Sequence, residues 1–277
     1  AVVCFFIIVL LILSCIIVPF FSPFESREQH LGEVNKGFMT VCTDSRYEGQ
    51  HHVHYFGTDN LGRDLFLRAF EGGRVSLMIA FAAVFVNLIV GLIYGGISGY
   101  IGGAVDTIMM RIVEIVNGIP YLIVVILLMM VLPKGIFTMV VAYGITGWTG
   151  MARLVRGQVL QLKSQEYIVA AEAMGAKSSR IIAKHLIPNA LSVIIINVTL
   201  AIPSAIFTEA FLSYIGLGVP VPQPSWGVLA KGGQDVFMTY PYQLVVPAVA
   251  ISLTMLSFNL LGDGLRDALD PKLRGKL

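Results

Sequence analysis

Long apolar runs separated by short polar stretches make up most of this chain of 277 residues. A helix that crosses the hydrocarbon core of a bilayer needs about 20 predominantly apolar residues. Runs close to that length predict six transmembrane helices, which are Val2–Phe21, Val75–Ile97, Ile112–Leu132, Ile136–Ala152, Leu191–Phe211 and Leu244–Leu261. The pattern therefore predicts an all-α polytopic membrane protein.

Composition supports this prediction. Hydrophobic residues make up 56% of the chain and charged residues only 13%, whereas a soluble domain carries about 25% charged residues. A soluble protein with large buried helices is the alternative, but here the charges cluster between the apolar runs. We expect the chain to contact membrane lipid and not nucleic acid.

The distribution of Lys and Arg predicts the orientation. Basic residues favour the cytoplasmic loops, and they concentrate in the loop after the fourth predicted helix and in the C-terminal tail. Both termini are therefore predicted to be cytoplasmic, and a short basic leader is expected before Ala1. The resulting segments are a first transmembrane helix at 1–21, an extracellular loop at 22–74, a transmembrane core at 75–264 with a cytoplasmic loop at 153–190, and a cytoplasmic tail at 265–277.

The predicted extracellular loop contains the run HHVH, with His51, His52 and His54. Such a run can bind a metal ion, but in a loop it is more often without one, and we expect no metal site. Further along, Asp64–Phe70 has the spacing of a short amphipathic helix ahead of the second transmembrane helix.

Small residues recur along one side of the second predicted helix. Gly91, Gly95 and Gly99 are four residues apart and so form one smooth face. Such a face lets the backbone of a neighbouring helix approach closely. The sequence leaves open whether this face serves tight packing alone or also sliding during a conformational change.

Glu209 lies near the outer end of the fifth predicted helix, before the Gly- and Pro-rich segment 215–243, which excludes a long helix and suits a cap-like loop. A carboxylate this close to hydrocarbon must be paired or hydrated. The structural interpretation is that it accepts hydrogen bonds from backbone N–H groups before Gly216 and Gly218. The functional alternative is an outer gate that meets a substrate.

The most polar stretch, EYIVAAEAMGAKSSRIIAKHLIPNA at 166–190, predicts two short helices. Ser164 is predicted to cap the first helix, and Gly175 to end it in a left-handed conformation. Ser178 or Ser179 is then expected to cap the second helix, and Pro188 to mark its bend into the fifth transmembrane helix. A small-residue helix with basic surroundings suits docking in a groove of another protein, while the alternative is a helix lying on anionic lipid.

Within this stretch the pattern AA-x3-G-x12-P, filled by Ala170, Ala171, Gly175 and Pro188, resembles the EAA loop of binding-protein-dependent ABC importers. The chain departs from that family at Val169, where the family has Glu. The resemblance implies a coupling helix seated in a cleft of an ATPase subunit. The residues that it assigns to this coupling loop are Glu166, Ala170, Ala171, Gly175, Ala176, Lys177, Arg180, His185 and Pro188.

The resemblance covers nearly the whole chain. The blocks FGTDNLGRDLFLRAFEGGRVSL, EAFLSYIGLGVPVPQPSWG and LGDGLRDALDPKLRG are similar to segments of the C-type permease subunit of oligopeptide and dipeptide importers, most of all those of Gram-positive bacteria. This family implies a methionine-permease-type fold of a type I importer with one extra helix ahead of the core. It also implies as partners a homologous but non-identical permease subunit, two ATPase subunits and an extracellular peptide-binding lipoprotein.

The sequence contains no G-x4-G-K-[ST] phosphate-binding loop. We therefore expect a transport subunit that is not an enzyme and holds no cofactor, with ATP and Mg²⁺ bound by its partners. Import of dipeptides or of nickel and metal chelates is the alternative within the family. A more distant alternative is an ATP-independent channel or ion-coupled carrier.

Overall fold

A computed structural model describes residues 1–43 and 52–269, most of which are helical. In that part of the chain the helices are α1 (Val2–Phe21), α2 (Leu65–Ile101), α3 (Gly103–Asn117), α4 (Tyr121–Val131), α5 (Ile136–Thr146), α6 (Trp148–Lys163), α7 (Glu166–Ala173), α8 (Ser178–Ile181), α9 (Ile187–Tyr214), α10 (Trp226–Asp235) and α11 (Tyr242–Leu269). A 3₁₀ turn (Leu31–Glu33) and a π turn (Ile182–Leu186) complete the helical elements. Two short strands, β1 (Thr40–Val41) and β2 (Val53–His54), pair antiparallel with Thr40 opposite His54.

The chain divides into two compact units. The first unit comprises Ala1–Phe81, Pro133–Met139 and Ile202–Leu261. The second unit comprises Ala82–Leu132, Val140–Ala201 and the described residues from Gly262 onward.

In the first unit, Trp226 is a large side chain that is almost fully buried. Its indole N–H donates to the carbonyl of Ala69 at 2.9 Å, and its backbone N–H donates to Ser76 Oγ at 3.1 Å. Helix α10 begins here because Ser225 caps it, its Oγ accepting from the backbone N–H of Val228. The segment that the sequence assigned to a cap-like loop therefore contains one short, well-capped helix.

In the second unit, α6 supplies much of the core. One buried apolar cluster joins α6 to α7, α8, the π turn and α9, and consists of Val155, Val159, Ile168, Ile181, Leu186, Ala190 and Ile194. A second cluster joins α6 to α3 through Val113, Trp148 and Ala152. The first of these clusters includes Ile168, Ile181 and Leu186 and so anchors the polar stretch that follows α6.

The predicted helical fold class is confirmed, with one two-stranded β pairing outside the helices, whereas the number of membrane spans is only partly established. Four helices of the described residues are long and apolar enough to cross a membrane, namely Val2–Phe21, Leu65–Ile101, Ser178–Tyr214 and Tyr242–Leu269. The pair α3 and α4 adds a fifth if it is counted as one bent span. The predicted fourth span is divided at Gly147 between α5 and α6, so six spans remain a prediction.

Two predicted helix boundaries were wrong. The third span is not one straight helix, because α3 ends at Asn117, α4 restarts at Tyr121 and the axis bends by 78° between them. Pro120 explains the break, since the residue before a proline disfavours the helical conformation. The short helix expected at Asp64–Phe70 is instead the first part of α2, which runs without a break from Leu65 to Ile101.

Candidate functional site

The polar stretch after α6 begins with a short helix, α7, which is anchored by buried residues. On α7, Ile168 is fully buried and Ala171 is 5% exposed, and Ile168 belongs to the apolar cluster shared with α6 and α9. Glu166 lies in the first turn of α7, where a negative charge is favoured by the helix dipole. The inner side of α7 therefore fixes the helix to its two flanking elements.

The corner after α7 is built on Gly175. Its φ is +79°, a conformation that residues with a side chain adopt only at a cost. The N–H of Gly175 donates to the carbonyl of Glu172 at 2.9 Å, and the N–H of Ala176 donates to that of Ala171 at 3.1 Å. This pair of bonds is a Schellman motif, which satisfies the last carbonyls of the helix.

The side-chain caps expected on both helices were wrong. Ser164 ends α6, and its hydroxyl donates to the carbonyl of Gln161, so that Gln165 becomes the residue before α7. Lys177 holds the equivalent position before α8, and Ser178 is already helical. Only two residues separate α6 from α7, which leaves Ser164 within the end of the preceding helix.

Pro188 was expected to bend the chain, but α8, the π turn and α9 form one helical segment from Ser178 to Tyr214. The N–H of Ile187 donates to the carbonyl of Ile182, a bond across five residues. Pro188 has no N–H and crowds the preceding turn of a helix. The wider π turn ends at Leu186, two residues before the proline, and the helix continues through Pro188.

Several apolar residues are exposed on α7 and at Met174, which directly follows the helix. Tyr167 is 42% exposed, Val169 54% and Met174 81%, and Ala170 is also exposed beside them. We call these four residues the α7 surface. Met174 was not among the predicted site residues, although an apolar side chain directly before a glycine corner in a charged stretch is a usable signal.

The other residues that the resemblance assigned to this loop lie around that surface. Glu166, Gly175, Lys177, Arg180 and Pro188 are exposed. Ala176 and His185 are half-buried, and Ala171 is buried. The assigned residues therefore include exposed residues around the α7 surface as well as the half-buried Ala176 and His185 and the buried Ala171.

A polar contact joins this stretch to the end of α2. The hydroxyl of Tyr100 donates to Glu172 Oε1 on α7 at 3.0 Å. The ammonium of Lys163 at the end of α6 donates to the carbonyl of Tyr100 and lies 5.2 Å from the centroid of its ring. Sequence reasoning missed both contacts because Tyr100 is more than sixty residues away from Lys163 and from Glu172 along the chain.

The glycine face of α2 lies against α6. A Cβ added at Gly95 would lie 2.3 Å from the carbonyl oxygen of Ala152, and one at Gly91 would lie 2.5 Å from Met151 Cβ. At Gly99 the nearest atom would be the carbonyl oxygen of Arg156 at 2.9 Å. These backbones approach so closely that a methyl group has no room between them.

An ion pair lies beside this face. The guanidinium of Arg156 on α6 donates to both oxygens of Asp106 on α3, at 2.5 and 2.6 Å. Ser98 on α2 donates to the same carboxylate at 2.5 Å. A bidentate, charge-assisted pair of this kind fixes orientation as well as distance, so α2, α3 and α6 are held together by one polar group.

Glu209 on α9 is 1% exposed. Its Oε1 accepts from Ser213 Oγ at 2.7 Å, and hydroxyls of Ser76 and Ser225 face the same carboxylate. The sequence predicted backbone N–H donors before Gly216, and this detail was wrong. Ser213 in turn accepts from the backbone N–H of Val219, so the carboxylate reaches the following loop through a serine.

A second polar cluster lies between α1 and α2. His54 Nδ1 lies 2.7 Å from Asp64 Oδ2, and His54 Nε2 lies 3.1 Å from Glu33 Oε2. Burial opposes the charged imidazole, but the adjacent Asp64 and Glu33 outweigh it and raise the pKa of His54. Burial likewise opposes the Glu33 carboxylate, yet hydrogen bonds from Thr43, Cys42 and His54 lower its pKa. Of the run HHVH, His51 lies outside the described residues, and His54 is the member buried in this cluster.

The sequence matches known families over most of its length. Residues 88–275 match the family described as binding-protein-dependent transport system inner membrane component. Residues 1–37 match the N-terminal transmembrane domain of oligopeptide transport permease C.

Among similar proteins, the oligopeptide transport system permease protein OppC of Bacillus subtilis is 51% identical over 97% of this chain and 84% of its own length. The dipeptide transport system permease protein DppC of the same organism is 48% identical over 97% of this chain and 81% of its own. Among solved structures, an inward-facing MetNI methionine ABC transporter chain has a TM-score of 0.57 at 21% identity, covering 72% of this chain and 94% of its own. That likeness shows the fold alone.

These matches agree with the helical architecture and with the fold type that the sequence implied. They also show a multi-pass membrane protein whose family works with ATPase, substrate-binding and second permease subunits. The chain belongs to the family of inner membrane components of binding-protein-dependent transport systems, as a permease subunit of an ABC importer.

Proposed function

We propose that this permease subunit serves an ATP-driven importer of oligopeptides and that the α7 surface docks in an ATPase subunit. The observation that carries the docking proposal is the contrast between the two sides of α7. Ile168 on the inner side is fully buried, whereas the neighbouring Val169 is 54% exposed and Met174, directly after the helix, is 81% exposed. Exposed apolar residues rimmed by charge are typical of a protein interface.

The contacts of α7 support a role in coupling. Its buried side packs on α6 and α9, and its Glu172 bonds to Tyr100 at the end of α2. A displacement of α7 therefore carries those helices with it. When the ATPase subunits bind ATP and close, the pull on α7 would tilt the helices and switch the pathway from inward to outward access.

The proposed importer needs partner subunits besides this chain. ATP and Mg²⁺ would be bound by two ATPase subunits, while a related, non-identical permease subunit would complete the pathway. An extracellular peptide-binding lipoprotein would deliver the substrate. The similarity to two permease proteins of binding-protein-dependent importers supports this set.

The proposed orientation places the loop after α6 and both termini in the cytoplasm of a bacterial cell, and the segment between α1 and α2 outside. Single cysteines at Lys177 and Gln223, in a chain otherwise free of cysteine, test it. An impermeant maleimide should label position 223 in intact cells and position 177 only after permeabilisation. Labelling of both positions from outside contradicts the orientation.

Oligopeptides are the preferred substrate because the 51% identical relative is named for their transport, while the 48% identical dipeptide permease makes dipeptides the second candidate. The complex should be reconstituted with its binding protein in vesicles and supplied with a pentapeptide, a dipeptide or chelated nickel. We expect ATP-dependent uptake of the pentapeptide. Uptake restricted to the dipeptide or nickel refutes the substrate assignment, and uptake without ATP refutes the ABC mechanism.

A further inference from the structure

Three side chains with metal-ligating atoms converge in the segment between α1 and α2. A nitrogen of His30, a carboxylate oxygen of Glu33 and Cys42 Sγ all lie within 4.8 Å of one another. All three residues are buried, at 1%, 2% and 8% exposure. A fully buried glutamate is uncommon unless it is paired or binds a metal.

Local structure brings the three together. His30 immediately precedes the 3₁₀ turn and Glu33 ends it, and in a 3₁₀ turn side chains three residues apart lie one above the other. Cys42 follows β1, where its backbone N–H donates to the carbonyl of His52. The β1–β2 pairing therefore sets the position of the thiol relative to the turn.

The spacing of the thiol and the carboxylate fits a tetrahedral cation. Zinc binds thiolate at about 2.3 Å and nitrogen or oxygen at about 2.0 Å, which places two such ligands roughly 3.5 Å apart. Cys42 Sγ lies 3.3 Å from Glu33 Oε2. A mixed set of sulfur, imidazole and carboxylate is typical of zinc and other borderline divalent cations, and not of magnesium or calcium.

A second layer of hydrogen bonds holds the carboxylate. His54 Nε2 lies 3.1 Å from Glu33 Oε2, and Asp64 orients the other ring nitrogen at 2.7 Å. Thr43 donates to Glu33 Oε1 through both its backbone N–H and its hydroxyl. Metal sites depend on such outer partners to fix the ligand geometry.

We propose that His30, Glu33 and Cys42 form a structural site for a divalent cation of the zinc class, with Thr43 and His54 as positioning residues. The ion displaces the thiol proton of Cys42 to solvent, and thiolate plus carboxylate then balance its charge. The site closes a segment whose described residues, 22–43 and 52–64, form a 3₁₀ turn and two short strands, and which packs on α2 through a small apolar cluster of Phe24, Cys42 and Leu67. A metal stabilises such a segment where its core is too small to do so.

The proposal goes beyond the proposed function and is tested without any transport measurement. The complex that contains the full chain is purified without a metal-binding tag. It is then treated with a chelator and equilibrated with Zn²⁺ or Co²⁺. We expect the wild type to retain about one Zn²⁺ more per chain than C42S, since loss of one ligand of a structural site abolishes tight binding. C15S, which removes a buried cysteine outside the group, is the matched control and should retain the metal.

The absorption spectrum of bound Co²⁺ is a second readout, and it does not require the stabilities of the variants to be compared. A Co²⁺-loaded complex should show thiolate-to-cobalt charge-transfer absorption in the wild type and in C15S, and this absorption should be absent from C42S. H30A should lower the zinc content as C42S does. Equal zinc content in wild type and C42S, or a wild-type cobalt spectrum without the thiolate band, overturns the proposal and leaves a metal-free hydrogen-bond network.

Discussion

The hydroxyl of Tyr100, next to the last residue of α2, donates a 3.0 Å hydrogen bond to Glu172 on α7. Y100F removes this donor and leaves the ring in place. We expect assembly to be unchanged and peptide import per ATP hydrolysed to fall by a few-fold, because a bond of this kind contributes about 0.5–1.5 kcal/mol. Vesicle uptake measured together with ATP hydrolysis checks the ratio. An unchanged ratio would show that α2 takes no part in coupling through this contact.

The Gly175 corner makes a second prediction. No atom lies within 4 Å of a Cβ added there, so only the positive φ of +79° opposes substitution. Valine is strongly disfavoured in this conformation, whereas asparagine tolerates it. We expect G175V to assemble poorly or lose import, and G175N to retain most of it. Similar import by the two variants would mean that the corner does not set the position of α7.

Two adjacent glycines of α2 form a matched pair. A Cβ at Gly95 would lie 2.3 Å from a backbone oxygen of α6, while one at Gly96 would lie 3.3 Å from the Cγ2 methyl of Ile182. G95A should therefore destabilise the chain by about 1–3 kcal/mol through overpacking. G96A should be tolerated, since alanine favours helix. Thermal unfolding of the purified complex distinguishes them, and equal melting temperatures would contradict the close approach of α2 and α6.

Glu209 supplies a fourth prediction, based on a structural role. E209Q keeps the shape and an oxygen that can accept from Ser213, so assembly and import should survive with modest loss. E209L leaves the buried serine hydroxyls without their acceptor and should destabilise the complex by about 1–3 kcal/mol. An E209Q complex that assembles and hydrolyses ATP but imports no peptide would place the carboxylate on the translocation path.

The sequence was informative where a single local property determines the structure. Helix α1 matches its predicted bounds because an apolar run of 20 residues has few alternatives, and Gly175 was identifiable because positive φ favours glycine. Pro120 carried a local signal for the break before α4, but the apolar run around it outweighed that signal. Ser213 lies one helical turn after Glu209 and was within reach of local reasoning. The approach of Ser76 and Ser225 to Glu209, and of Cys42 to His30 and Glu33, was not predictable, since only tertiary packing brings these segments together.

The central claim is that the α7 surface contacts an ATPase subunit, and site-specific photocross-linking at Met174 tests it most directly. A photoreactive amino acid is placed at Met174, and in a control at Met238, a methionine that is 96% exposed and belongs to the segment proposed to face outside. After illumination of the assembled complex, we expect position 174 to form a covalent adduct with an ATPase subunit and position 238 to form none. An assembled, transporting complex in which position 174 forms no such adduct would contradict the account.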